Sequence, residues 1–339
     1  MFIKQVFLLS IIFTLLHISC LAQESNPLFP IIIKGKWGFI NQKGEIIIKP
    51  QFDGAGKFKN GLAVASKGKT AGYINKDGKF VIQTSPQISL FGEFSEGLVP
   101  ISQNNKYGYM NRRGEIVIPP KYIYAGDFSN GIARIRMQNG FSFINKSGTL
   151  VTKWYKSAFD FSEGLANVQV NGKMGYINTL DKIIIQPIFD GADEFSEGLA
   201  AVSINGKRGF INKSGEVIIA PQFNHTTPFS EGLAAVETNR KWGYIDNTGH
   251  FVIEPQFNIG HNFSEGLASI QSNNNWGYID KTGKVVIEPQ FAEAYPFKNG
   301  VATVYLGRCE ITERTPKSQK PCKLGYIDRM GKYIWKPSN

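Results

Sequence analysis

Residues 266–289 read GLASIQSNNNWGYIDKTGKVVIEP, and their punctuation decides the fold. Leu267 to Gln271 form a first apolar run, broken at Ser272-Asn273-Asn274. Trp276 to Asp280 form a second run, broken at Lys281-Thr282-Gly283, and Lys284 to Glu288 a third, closed by Pro289. Short β-branched and aromatic runs bounded by Asn, Asp, Gly and Pro are strand signals, and three in succession predict an antiparallel meander. The Asp280-x-x-Gly283 step has hairpin chemistry: a carboxylate bonds the turn backbone and glycine accepts positive φ.

The same text recurs. Trp37-Gly38-Phe39-Ile40-Asn41, Tyr107-Gly108-Tyr109-Met110-Asn111, Met174-Gly175-Tyr176-Ile177-Asn178 and Trp242-Gly243-Tyr244-Ile245-Asp246 are copies of Trp276 to Asp280. With the central glycine as marker (Ser142 in one copy), successive spacings are 34, 36, 34, 33, 34, 34, 34 and 48 residues. A Phe-Ser-Glu-Gly element keeps step, and Phe58, Phe94, Phe128, Phe161, Phe195, Phe229, Phe263 and Phe297 hold one slot throughout. They are expected to plug the core between units, each contributing about 1.5–3 kcal/mol when buried. A period of 34 residues also suits helical hairpins, but those need stretches of about 10–12 residues free of Gly and Pro, which these units lack. Triplets such as Ile46-Ile47-Ile48 and Ile183-Ile184-Ile185 suggest strands buried on both faces, as stacked units would provide.

The expected fold is therefore all-β: about nine three-stranded antiparallel meanders over residues 28–337, stacked as an elongated twisted solenoid. Units run about 28–60, 61–96, 97–130, 131–163, 164–197, 198–231, 232–265, 266–299 and 300–337. The alternative is a closed β-propeller, disfavoured because blades usually carry four strands in about 40–45 residues. The 48-residue spacing is one period plus an insertion at 308–322.

The chain begins with Lys4 and an apolar stretch from Val6 to Leu16, then Ser19-Cys20-Leu21-Ala22. This predicts a signal peptide over 1–22, too short to span a bilayer, and hence export with no transmembrane helix after its removal. Cleavage after Ala22 is preferred over lipidation of Cys20, because His17 stands where a lipobox has Leu. Cys309 and Cys322 then remain, and an even thiol count in an oxidising compartment favours a disulfide, which stabilises such a loop by about 3 kcal/mol.

Composition excludes a disordered chain, since 42% of residues are apolar and only 19% charged. The formal charge of +11 becomes +10 without Lys4. Lys and Arg are scattered, with no run of five, and export removes nucleic-acid partners, leaving anionic envelope glycans as a candidate ligand. His225 and His261 lie in neighbouring connectors, but two histidines at unequal slots make no metal site without a third ligand. Glu96, Glu163, Glu197, Glu231 and Glu265 share one slot as a carboxylate row, yet Asn60, Asn130 and Asn299 replace them, which favours a turn role before Gly. No Ser/His/Asp spacing, phosphate-binding glycine loop, HExxH or CxxC is present. The unit at 131–160 departs furthest from the pattern, with Ser142 for Gly and Trp154-Tyr155-Lys156 for Pro-Gln-Phe, so Trp154 and Tyr155 are a candidate binding surface.

The Trp-Gly-[Phe/Tyr]-Ile-[Asn/Asp]-x-x-Gly core, with its Pro-x-Phe ending and the Phe-Ser-Glu-Gly-Leu-Ala element, resembles the WG repeat family over about 28–337. The Trp slot varies, holding Ala71, Tyr107, Phe141, Met174, Arg208 and Leu324 in other copies. The resemblance implies a non-enzymatic protein without cofactor, metal or catalytic residues. The expected function is a scaffold binding protein or peptide partners at the bacterial envelope, the alternative a carbohydrate or cell-wall binding module using exposed aromatics.

Overall fold

The computed structural model describes residues 26–90, 92–307 and 323–336. The predicted leader at 1–22 with Cys20, the insertion at 308–322 and the Cys309–Cys322 pair lie outside the described residues. The chain forms nine small antiparallel sheets, taken here as blades 1 to 9 in chain order.

Blade 8 shows the construction. Asn275–Asp280 pairs with Leu267–Ser272 on one side and Val285–Phe291 on the other, as the meander reading requires. Asp280 Oδ1 accepts from the Thr282 and Lys284 amides at 2.9 and 3.1 Å, so the hairpin chemistry is as read. A fourth strand, Ile259–Ser264, is the connector itself, paired forward onto Leu267–Ser272. In blade 6 the connector strand is only Gly191–Ala192, and one residue, Asp190, separates it from Ile183–Phe189 of blade 5. Six of the nine sheets gain a fourth strand this way, and in these the blade starts at the connector rather than after Phe-Ser-Glu-Gly.

The array closes on itself, which overturns the elongated solenoid: the molecule is a nine-bladed β-propeller. Ile31 and Ile40 of blade 1 share a buried cluster with Val301 and Tyr326 of blade 9. The Tyr326 hydroxyl donates to the Pro30 carbonyl at 2.7 Å, and the Phe29 ring lies 5.5 Å from the Tyr326 ring. The strand count that spoke against a propeller was short by one because the connector supplies the missing strand without a loop.

Phe-Ser-Glu-Gly joins each blade to the next. Tyr244 and Phe263 meet at 5.0 Å and 61°, and Tyr278 and Phe297 at 4.8 Å and 60°. Ser264 Oγ donates to the Phe297 carbonyl at 2.7 Å, and Ser95, Ser162, Ser196 and Ser230 make the same bond in blades 3, 5, 6 and 7. Glu265 accepts the Gly300 amide at 2.8 Å, and the other four glutamates of the row each accept the equivalent glycine amide. Glu265 and Gly266 both have positive φ, 54° and 79°, the two-residue turn whose twist suits a hairpin. The carboxylate row is thus a chain of inter-blade bonds, not an open acidic face.

The third strand is an edge strand of its sheet. Ile183 and Ile184 are exposed, and only Ile185 is buried. Burial of these triplets on both faces does not hold: only the third residue, such as Ile185, packs into the core between blades, and the first two stay exposed.

Candidate functional site

The Trp slot faces a cleft between its own blade and the next. In blade 8 the floor is Trp276, 8% exposed. His261, from the connector strand, stacks on it with centroids 4.5 Å apart and planes 24° from parallel. His261 Nδ1 lies 3.0 Å from the buried Ser269 hydroxyl, and its carbonyl accepts from the Tyr244 hydroxyl at 2.9 Å, so both ends of the residue are held. Across the cleft, the connector of blade 9 brings Glu293, Tyr295 and Pro296, and Gln271 completes the wall of a space of about 390 Å³. The Tyr295 ring is 47% exposed; its hydroxyl donates to Glu293 Oε2 at 3.2 Å, and its carbonyl accepts from the Tyr278 hydroxyl at 2.8 Å. The cleft therefore offers flat rings on two walls and hydrogen-bonding side chains between them.

Blade 7 repeats this in more open form. His225 stacks near Trp242 at 6.4 Å and 16°, with Nε2 3.7 Å from Glu237 Oε2. Other copies are filled. Arg208 occupies the slot in blade 6, pairs with Asp193 and donates to Thr226 Oγ1 at 2.9 Å. In blade 4 the Phe141 ring is covered by Arg134 and Arg136, each 5.4 Å from its centroid.

The residues singled out at 131–160 lie elsewhere. Tyr155 is a core residue, 3% exposed, whose hydroxyl donates to Asp181 Oδ1 at 2.5 Å. Trp154 is half-buried against the cluster of Leu98, Tyr109 and Ile118. The irregularity of this unit has a packing cause. Its third strand is shortened to isolated pairings at Leu150 and Tyr155, which makes room for Ser142, and the buried Ser142 hydroxyl donates to the Thr152 carbonyl at 2.9 Å. Tyr155 is therefore unavailable as a contact surface.

His225 and His261, expected from the sequence to be connector residues short of a metal site, are ring partners of Trp242 and Trp276. The signal was available, since Trp survives in the two units whose connectors carry His. Among the described residues no group of three or more His, Cys, Asp or Glu is placed to hold a metal, and no helix is long and apolar enough to cross a membrane.

Burial holds the His261 imidazole below its ordinary range. Between that lowered value and the ordinary value of about 6.5 the unfolded chain binds a proton that the folded chain refuses. The stabilisation is thus complete above the ordinary value and is lost as pH falls through the window. Denaturation midpoints at about pH 5 and pH 7.5 should show the wild type losing more stability on acidification than His261→Asn.

Fold and clefts together define a repeat β-propeller. A sequence profile described as the WG containing repeat matches residues 37–70, 72–107, 107–140, 141–173, 174–207, 209–242, 242–276 and 276–307, and the chain belongs to the WG repeat family. No curated protein matches it in sequence. Among solved structures, a eukaryotic initiation factor is similar over 93% of this chain and 97% of its own, with TM-score 0.66 and 10% identity. BamB from Moraxella catarrhalis is similar over 90% and 92%, with TM-score 0.44 and 9% identity. Identity at the level of the first likeness shows fold alone.

Proposed function

We propose that this propeller is an exported, non-catalytic binding protein, and that the Trp276 cleft takes carbohydrate. The observation that carries this reading is the half-exposed Tyr295 ring set across one cleft from the His261–Trp276 stack, with Gln271 and Glu293 between them. A pyranose presents an apolar face ringed by hydroxyls. Flat aromatic walls with a few polar groups suit that shape, as small-ligand clefts generally combine apolar lining with sparse orienting groups. Glu293 here, and Glu237 in the neighbouring cleft, favour neutral over acidic sugars. A glycan array followed by calorimetry tests the proposal. Tyr295→Ala, an exposed change that spares the fold, should lower affinity for the retained sugar at least about tenfold, near 1.4 kcal/mol. An array that retains nothing, or a variant binding as well as wild type, would reject it.

A second reading, a protein partner, draws on the rim. Ile46, Ile47, Ile116, Val117, Ile183, Ile184, Val217 and Ile218 repeat an exposed apolar pair around the outer strands. Crosslinking in cells, with contacts mapped to these strands rather than to the cleft, would favour it.

A further inference from the structure

The two tryptophan clefts are not isolated. Three consecutive blades each contribute one ring pair on a connector: His225 with Trp242, His261 with Trp276, and Tyr295 with Tyr305, the last at 6.0 Å. His225 stands two residues earlier in its connector than His261 and Tyr295 in theirs, and Tyr305 holds the strand position of Glu237 and Gln271. The pairs interlock, because His261 belongs to the stack of blade 8 while the adjoining Gly260 backbone lies against the Trp242 side chain of blade 7. A Cβ on Gly260 would come within 3.5 Å of Trp242 Cβ. Tyr295 stands in the corresponding connector position of the next blade and lines the Trp276 cleft. Each step also carries a hydrogen-bonding side chain, Glu237 in blade 7 and Gln271 in blade 8, at matching positions of their strands. Towards blade 6 the track is cut by the Arg208–Asp193 ion pair.

Resting on the carbohydrate reading above, we infer that blades 7–9 form one continuous subsite track for a linear neutral glycan rather than a pocket for a single sugar. A free monosaccharide would use one cleft. Rings and polar groups repeated blade by blade instead reward a ligand that repeats too, since linked units bind later subsites at high effective concentration. A linear chain of pyranoses repeats an apolar face and a hydroxyl edge along its length. The filled cleft of blade 6 ends the track on that side.

Calorimetry on the full chain, with chito-oligosaccharides and, in parallel, cello-oligosaccharides of two, four and six units, provides the test. The expected result is affinity rising at least tenfold from two to six units in one series. His225→Ala, at the far end of the track, should remove most of the gain between four and six. Equal affinity for two and six units would overturn the track while leaving the single-cleft reading standing. Failure of the wild type to bind any member of either series would overturn both.

Discussion

Replacing Phe263 by Ala should destabilise the protein by about 3–5 kcal/mol, the range for deleting a fully buried aromatic ring. Phe263 is 1% exposed and sits between Tyr244 of blade 7 and Ile270 of its own blade, with Leu233, Ile253 and Ala268 around it. Burial accounts for about 1.5–3 kcal/mol. The remainder comes from the cavity, because the neighbours belong to paired sheets and collapse poorly into the space. In an array of repeats such a loss is local before it is global, since each unit contacts chiefly its neighbours. Hydrogen exchange should therefore show protection falling first in 234–291, and thermal unfolding should move down by roughly 5–10 °C. A shift below about 1 °C, or exchange rising evenly around the ring, would contradict the assignment of Phe263 as an inter-blade plug.

Gly277→Ala should be at least as damaging, for the opposite reason. A Cβ there would lie 2.5 Å from the Ile287 carbonyl oxygen and 2.7 Å from the Pro289 nitrogen. Both are backbone atoms of the third strand, which passes directly over this residue. Overpacking ordinarily costs about 1–3 kcal/mol, and more where backbone rather than a side-chain tip has to yield. Loss of soluble protein or destabilisation of about 3 kcal/mol or more is expected. The chain contains its own control. Ser142 holds the same slot in blade 4, where the third strand is pared back, so Ser142→Ala should cost only about 1–2 kcal/mol, for the buried hydroxyl's bonds to the Thr152 carbonyl and hydroxyl. Equal effects at the two positions would refute the crossing strand as the reason for glycine.

These contrasts show what the amino-acid text discloses. The hairpins were legible because Asp280 and Gly283 act within their own turn, and the plugs because Phe recurs at one spacing. Ring closure was not, since curvature accumulates as a small rotation per blade that no single unit encodes. The fourth strand was hidden by its brevity: Gly191–Ala192 leaves no alternating pattern to detect. The Ile183-Ile184-Ile185 triplet misled because only its third residue packs into the core between blades. The site was illegible for a different reason. His261 and Trp276 lie on strands that are not neighbours in their sheet, and Tyr295 reaches them from the next blade, so only tertiary packing assembles the cleft.

The circle has one joint unlike the rest. Blade 1 begins with Pro27 where other units have glycine; proline has no amide hydrogen to donate, and the blade 9 residue in the glutamate slot is Asn299. Closure there depends on Phe29, Tyr326 and the Gln42 amide donating to the Asn299 carbonyl at 2.5 Å. Strain or heat should find its exit at that seam. A circular permutant that ties the old termini together and opens the chain between two ordinary blades would move the weak point with it. The order in which blades peel away should therefore follow the position of the seam rather than the intrinsic frailty of any blade.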